Sequence, residues 1–461
     1  MPSVFCCERN MPDETKGLTH IDERYRAALP NLSIIGLGKL GAPMAAVFAC
    51  AGYNITGSDH NSDLVARIAE GKAPFDETDL QAHITKAGDK LRAVPTTAEA
   101  VASSDITFVI VPTPTGEDGL FSNQFLLDAV AAIGEALSDK QGYHLVVVTS
   151  TVVPGSTGSE ILQALEASSG KSVGTDIGLC YSPEFIALGS VVHDMKNPDL
   201  VLIGASDEKA ADKLEAVYRQ TVESSPHYCR MNFVNAELAK IAINTFVTTK
   251  ISYANMLSTI CDLLPGADID TISATLGADS RIGPKYLKGG AAFGGPCFPR
   301  DNKALTAFAA NLGIAAHIAA ATDAQNFEQS KRLVRLLEAS VARSAKVCVC
   351  GLSYKTNTNV TEESAGLAIA AALKQAGHTV SAHDPMVQAS AMGAGLALNG
   401  DLEEAIANVD AVLIMTPWRT YETLPQLLKE RKSALTIVDP WRMFRAEDFG
   451  PQVTYIAVGR P

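Results

Sequence analysis

"LSIIGLGKLG", residues 32–41, decides the fold. A short apolar run leads into Gly36, Gly38 and Gly41 in GxGxxG spacing, and an Ala-rich segment follows. That order reads as strand, tight turn and helix. The first glycine permits the turn, the second lets the backbone approach a pyrophosphate, and the third lets the helix pack on the strand. Asp59 closes the next predicted strand, "NITGSD". An acid there accepts hydrogen bonds from ribose hydroxyls and repels a 2′-phosphate, which favours NAD over NADP. Gly36, Leu37, Gly38, Lys39, Leu40, Gly41 and Asp59 therefore form a candidate NAD cradle, the alternative being a purely structural glycine turn.

Outward from this turn, "DITFVIV", "HLVVVTS", "DIGLCYS" and "LVLIG" continue the alternation of apolar strands with helical segments up to about residue 225. Apolar runs in such alternation predict a parallel sheet covered by helices on both faces. Residues 235–264 contain neither Gly nor Pro and predict one long helix, or two with a break near Asn255. The α/β alternation then restarts with "AKVCVCG", "HTVSAHDP", "DAVLIMTP" and "ALTIVDP". The expected fold is α/β, two Rossmann-like doubly wound parallel-sheet domains joined by a long central helix. Its expected boundaries are an N-terminal extension at 1–30, a NAD-binding domain at 31–225, a central helical dimerisation domain with the cysteine loop at 226–335, and a nucleotide-binding domain at 336–461.

The chain has 461 residues, 47% of them hydrophobic, and a net charge of −13. That charge argues against nucleic acid or an anionic membrane as partner. No segment has the length and apolarity of a membrane span or a signal peptide, so the chain reads as cytoplasmic. Its nine cysteines show no zinc-type pairing, and no metal is expected.

"GGPCFPRDN", residues 294–302, places Cys297 just before a predicted helix. Partial positive charge at a helix start, with Arg300 nearby, predicts a stabilised thiolate, and Asp301 is placed to orient a group or accept its proton. A buried cysteine in a structural turn, with Asp301 as cap, is the plain alternative. A thiol beside a NAD cradle permits oxidation of an alcohol to an aldehyde, its capture as a thiohemiacetal, a second oxidation to a thioester and hydrolysis to an acid. On the long helix, Glu237, Lys240 and Asn244 share one face. Lys240 and Asn244 are candidate oxyanion donors, although spacing alone favours a solvated stripe. Glu184, Ser150 and Thr151 follow predicted strands, where ligands of open sheets bind, with helix capping as the ordinary alternative.

In order along the chain, the GxGxxG turn, "VPTPT" (111–115), "STVVPG" (150–155), "SPEF" (182–185), "AELAKIAINTF" (236–246), "SRIGPKYLKGG" (280–290), "GGPCFPRD" and "GLSYKTNT" (351–358) closely resemble the UDP-glucose/GDP-mannose dehydrogenase family. The resemblance implies a four-electron, NAD-dependent oxidation of a nucleotide sugar at C6, with UDP-glucose the leading substrate. UDP-N-acetylhexosamines and GDP-mannose are the alternatives. It implies Cys297 as nucleophile, Lys240, Asn244 and Asp301 around the alkoxide, oxyanion and water, Glu184 in hydrolysis, and Thr151 holding a water. It implies Pro112, Thr113, Ser150 and Arg300 on the cofactor side. Phe185, Ile186, Tyr286, Leu287, Lys288, Gly290, Gly294 and Lys355 are implied as substrate contacts, with Arg281 reaching a neighbouring subunit of at least a homodimer. The chain departs from the family at Pro296, at Ala187 and Leu188, and at Glu362, which bears more on substrate than on reaction. A two-electron hydroxy-acid dehydrogenase would leave Cys297 and the second α/β region without a role. An inactive nucleotide-binding protein would not need Cys297, Lys240, Asn244 and Asp301 together.

Overall fold

The computed structural model describes residues 29–389 and 396–461. Apart from residues 29 and 30, the expected N-terminal extension lies outside the described residues. The first sheet contains β1 (Leu32–Ile35), β2 (Ile55–Ser58), β3 (Leu91–Val94), β4 (Ile106–Val109), β5 (His144–Val148), β6 (Ile177–Tyr181), β7 (Leu200–Ala205) and β8 (His227–Met231). Its strand order is β3-β2-β1-β4-β5-β6-β7-β8. The central strands are buried on both faces, which is why they read as unbroken apolar runs.

The parallel order stops at β6. β7 pairs antiparallel with it, Tyr181 opposite Gly204, and β8 runs parallel to β7. This reversal has a consequence for the site: the helix that follows β8 starts beside Gly204, against which Ala236 packs, at the carboxyl edge of β6. That helix, Phe233–Cys261, is a single unbroken element of 29 residues. It opens with Asn232 capping the Asn235 N–H at 2.9 Å, and the absence of Gly and Pro lets it continue past Asn255 without a break.

Helices Phe298–Asn311 and His317–Glu338 pack against the long helix. The second sheet contains β9 (Lys346–Cys350), β10 (Thr379–His383), β11 (Ala397–Asn399), β12 (Ala411–Ile414), β13 (Leu435–Asp439) and β14 (Val453–Ala457), in the order β11-β10-β9-β12-β13-β14. All its pairings are parallel. Arg442 ties it to the central helices through Asp270 at 2.8 Å and the Gly289 carbonyl at 2.7 Å. Among the described residues no helix is long and apolar enough to cross a membrane.

Candidate active site

β1 ends at Gly36, whose φ of +99° suits only glycine, and whose added Cβ would overlap the Ile110 carbonyl. Gly41 presses equally close on the Gly36 carbonyl, so the following helix, Gly41–Cys50, lies directly on the strand. An added Cβ on Gly38 would meet nothing within 4 Å. The helix start carries no side-chain cap and no acid in its first turn. Open space in front of an uncapped helix N-terminus fits a pyrophosphate. Asp59 accepts the Leu37 N–H on Oδ2 at 2.6 Å and the Asn61 N–H on Oδ1 at 2.8 Å; the exposed His60 ring also approaches Oδ1, at 3.1 Å, and Oδ2 keeps a further lone pair for a ribose hydroxyl. Lys39 is exposed beside this turn and Leu40 half-buried against the core.

Further along the carboxyl edge, Ser150 bonds both the N–H and the carbonyl of Val111, at 2.9 and 2.8 Å. Its hydroxyl therefore staples two strand ends together, and no contact of it points to a ligand. Thr113 donates to the Thr151 carbonyl at 2.7 Å, while Pro112 stands exposed next to it. The Arg300 guanidinium lies over the Phe121 ring at 4.8 Å and reaches the Thr113 carbonyl, so it lines the same edge.

The stripe on the long helix is not a solvated surface. Glu237, Lys240 and Asn244 are 0, 7 and 9% exposed, because the helix is wedged between the first sheet and helix Phe298–Asn311. Glu237 accepts the N–H groups of Gly155 and Thr157 at 2.5 and 2.7 Å, which fixes the turn after β5 rather than a reacting group. Lys240 donates to the Glu184 carbonyl at 2.6 Å and sits 4.4 Å above the Phe185 ring. Burial pulls its ammonium below the usual range, opposed by Asp301, Cys297 and Glu184. Asn244 donates to Asp301 Oδ2 at 2.6 Å. Asp301 Oδ1 faces Arg300 Nε at 3.5 Å, and neither atom has a hydrogen-bond partner among the described residues. An orphaned acceptor on a side chain 1% exposed is aimed for a group outside this chain.

Glu184 lies beyond the end of β6, where burial raises its carboxyl to about 7 while Tyr218 and Lys240 pull it down. Cys297 is the residue before helix Phe298–Asn311, with Pro299 in the first turn. The side chain opens to a cleft, yet protein crowds it closely enough to displace most bulk water. Its thiol is raised above the ordinary value by that desolvation and by Asp301, against Lys240 and Arg300. The expectation of a stabilised resting thiolate is thus corrected: the helix start and two cations do not outweigh lost hydration and a neighbouring carboxylate.

The second sheet reaches this cleft through residues 354–363. The Gly295 N–H donates to the Glu362 carbonyl at 3.1 Å, and the Tyr354 ring occupies the space a Gly295 Cβ would need, 2.5 Å away. Added Cβ atoms on Gly294 and Gly189 would overlap the carbonyls of Glu363 and Asn357. One loop therefore clasps both the cysteine loop and the loop that carries Glu184. Gly294 is accordingly filled by protein, as is Gly290, whose N–H and carbonyl bond Asn255 and Gln329 and whose face meets Trp441. Lys355 is half-buried near Asp194 and Glu77, and burial lowers its ammonium. Phe185 and Ile186 pack partly on the core, Leu287 is buried, Lys288 is exposed, and Tyr286 meets Phe298 edge-on at a φ of +65°. Arg281 is 85% exposed and pairs with Asp279. Among the described residues no cluster of His, Cys, Asp and Glu is arranged to hold a metal. Tyr218, Ser182 and Tyr354 went unnoticed in the sequence, where each reads as an ordinary core or turn residue.

A glycine cradle with a ribose-placed acid, set beside an open thiol, defines an NAD-dependent oxidoreductase. Residues 30–222 match the NAD binding domain of the UDP-glucose/GDP-mannose dehydrogenase family, 234–328 its central domain, and 348–446 its UDP binding domain. The UDP-glucose 6-dehydrogenase of Haloferax volcanii is 34% identical over 85% of this chain and 92% of its own. The GDP-mannose 6-dehydrogenase of Pseudomonas putida is 31% identical over 83 and 90%. The structure of a UDP-glucose dehydrogenase from Pyrobaculum islandicum superposes with a TM-score of 0.87 at 32% identity, covering 96% of this chain and all of that one. The chain belongs to the UDP-glucose/GDP-mannose dehydrogenase family.

Proposed function

We propose that this enzyme oxidises the C6 alcohol of UDP-glucose to the carboxylate of UDP-glucuronate. The observation that carries the reading is the convergence of Glu184, Lys240, Asn244, Asp301 and Cys297, from three separate segments, on one cleft beside the NAD cradle. NAD⁺ supplies the hydride acceptor for each of two oxidations. Lys240 and Asn244 steady the alkoxide as the first hydride leaves. Cys297 Sγ then adds to the aldehyde carbon as the thiol proton passes to the carbonyl oxygen, giving a thiohemiacetal whose oxygen the same donors hold. Loss of the second hydride leaves a thioester on Cys297. Asp301, Thr151 and Glu184 orient the water whose attack breaks the carbon–sulfur bond and releases the acid.

The raised thiol is supported by this order of events, since Lys240 and Arg300 are poised to stabilise sulfur as it loses its proton. Phe185, Ile186, Tyr286, Leu287, Lys288 and Lys355 form the sugar-nucleotide side of the site. The domain boundaries proposed are those expected from sequence. A cytoplasmic homodimer is the proposed setting, supported by the apolar surface of the central helices, where Phe246, Ile318 and Phe327 stand exposed. Ala187 and Leu188, together with the GDP-mannose relative, keep GDP-mannose and UDP-N-acetylhexosamines as the second reading. The test is NADH formed per sugar nucleotide across a panel of UDP- and GDP-sugars. Two NADH with UDP-glucose is expected, and one NADH would remove the thioester.

A further inference from the structure

Behind Glu184 lies a chain of two hydroxyls that the proposed reaction leaves unused. Ser182, the first residue beyond β6, places its hydroxyl 3.0 Å from the phenol oxygen of Tyr218, on helix Glu208–Thr221. That phenol donates to Glu184 Oε1 at 3.2 Å. Both hydroxyl residues are buried, and each hydroxyl carries one proton. When Glu184 is a carboxylate, Ser182 donates to Tyr218 and Tyr218 donates to Glu184. When Glu184 is protonated, both bonds reverse: its carboxyl O–H donates to Tyr218, and Tyr218 donates to Ser182. Oε1 of the half-buried carboxyl thus keeps its hydrogen bond in either state with no heavy atom moving. The adjoining cavity, lined by Ser182, Glu184, Pro198 and Tyr218 among others, has ≈ 10 Å³ of free volume. That is room for about one water centre.

We propose that Tyr218, backed by Ser182, is a positioning residue that holds Glu184 and lets it take up and release a proton during thioester hydrolysis. The proposal rests on the role given to Glu184 above. Among the described residues Tyr218 alone hydrogen-bonds the Glu184 carboxylate. The long helix presents Lys240 to the same residue, with Asp301, Cys297 and Arg300 acting on Lys240 in turn, and Cys180 of β6 lies near Tyr218. Burial raises Glu184 and the Tyr218 bond opposes that rise, so removing the phenol moves the carboxyl further up. Removing Ser182 takes one hydrogen bond from each protonation state, so it moves the carboxyl less than removing the phenol does.

The experiment is the pH dependence of kcat for Tyr218→Phe, Ser182→Ala and Glu184→Gln with UDP-glucose and NAD⁺, each variant checked for folding by thermal melting. Tyr218→Phe is expected to move the acid limb up by about one pH unit, with KM within about twofold. Ser182→Ala is expected to move it by less than about half a unit. An acid limb that stays in place in folded Tyr218→Phe, or a shift in Ser182→Ala as large as that in Tyr218→Phe, overturns the proposal alone. Wild-type turnover in Glu184→Gln would overturn the reading of Glu184 itself, and the proposal with it.

Discussion

At the end of β1, Gly36 adopts φ +99° and donates to the Ser58 carbonyl at 2.8 Å; at the end of β9, Gly351 adopts φ +101° and donates to the His383 carbonyl at 2.8 Å. Gly41 abuts the Gly36 carbonyl, and Gly366 abuts the Gly351 carbonyl. Each following strand ends in an acid, Asp59 or Asp384, that accepts the N–H just beyond the first glycine. The turns diverge in two respects. Asp384 is filled, accepting from Leu352, Ser353, Met386, Val387 and the Trp418 indole, whereas Asp59 retains a lone pair on Oδ2. Gly41 follows Gly36 by five positions, but Gly366 follows Gly351 by fifteen, and the added length is the loop that clasps Gly189, Gly294 and Gly295. One copy of the turn stays open in front of its helix; the other is closed on itself and extended over the cysteine loop and the loop that carries Glu184.

The sharpest way to separate the two uses is Cys297→Ala. It should reduce acid formation by at least about 10³-fold while NAD⁺ affinity, measured by calorimetry, stays within about twofold. Retained turnover would break the covalent reading. Next come Gly41→Ala and Gly366→Ala, each forcing a methyl onto a backbone carbonyl at a cost of about 1–3 kcal/mol in denaturant melts. The first should abolish NAD⁺ binding and the second should spare it; equal loss in both would erase the division of labour. Asp384→Asn should lower stability by about 2 kcal/mol, because a buried acceptor of six donors is weakened. Asp59→Asn should lower stability by about 1 kcal/mol, less than Asp384→Asn because fewer donors lose their acceptor, and narrow the preference for NAD⁺ over NADP⁺ by about tenfold.

The smallest expected effect is a pH dependence. Glu184 is raised from 4.5 to about 7 on folding, so the native state binds its proton more tightly than the unfolded chain between those values. The destabilisation is fully present above pH 7 and is relieved as pH falls through 7 toward 4.5. Glu184→Gln should therefore gain about 1–2 kcal/mol over the parent at pH 8 and little at pH 4.5. A gain independent of pH would place the effect elsewhere.

The interior strands of both sheets were legible in the sequence, and the four that were not, β3, β8, β11 and β14, are the edges of the two sheets. An edge strand has one neighbour and a half-exposed surface, so Arg92 and Arg230 interrupt the apolar runs that mark the others. The antiparallel turn into β7 left no local trace, since strand direction is decided by where the connection runs. Lys240, Asn244, Asp301 and Cys297 were recognisable by type and order. The burial of Lys240, Asn244 and Asp301 was not, because helix spacing reports a shared face and says nothing about what covers it. The Tyr218–Glu184 bond joins residues 34 positions apart through packing alone.

The glycines at 189 and 294, each set against a backbone carbonyl, bear on how the cleft ages in evolution. Where main chain rests on main chain, the gap is dictated by the dimensions of peptide groups, which every sequence shares. Substitutions elsewhere can accumulate without altering the reach between sulfur and carboxylate, and the joint tolerates drift everywhere except at those few positions where a single methyl would wedge it open.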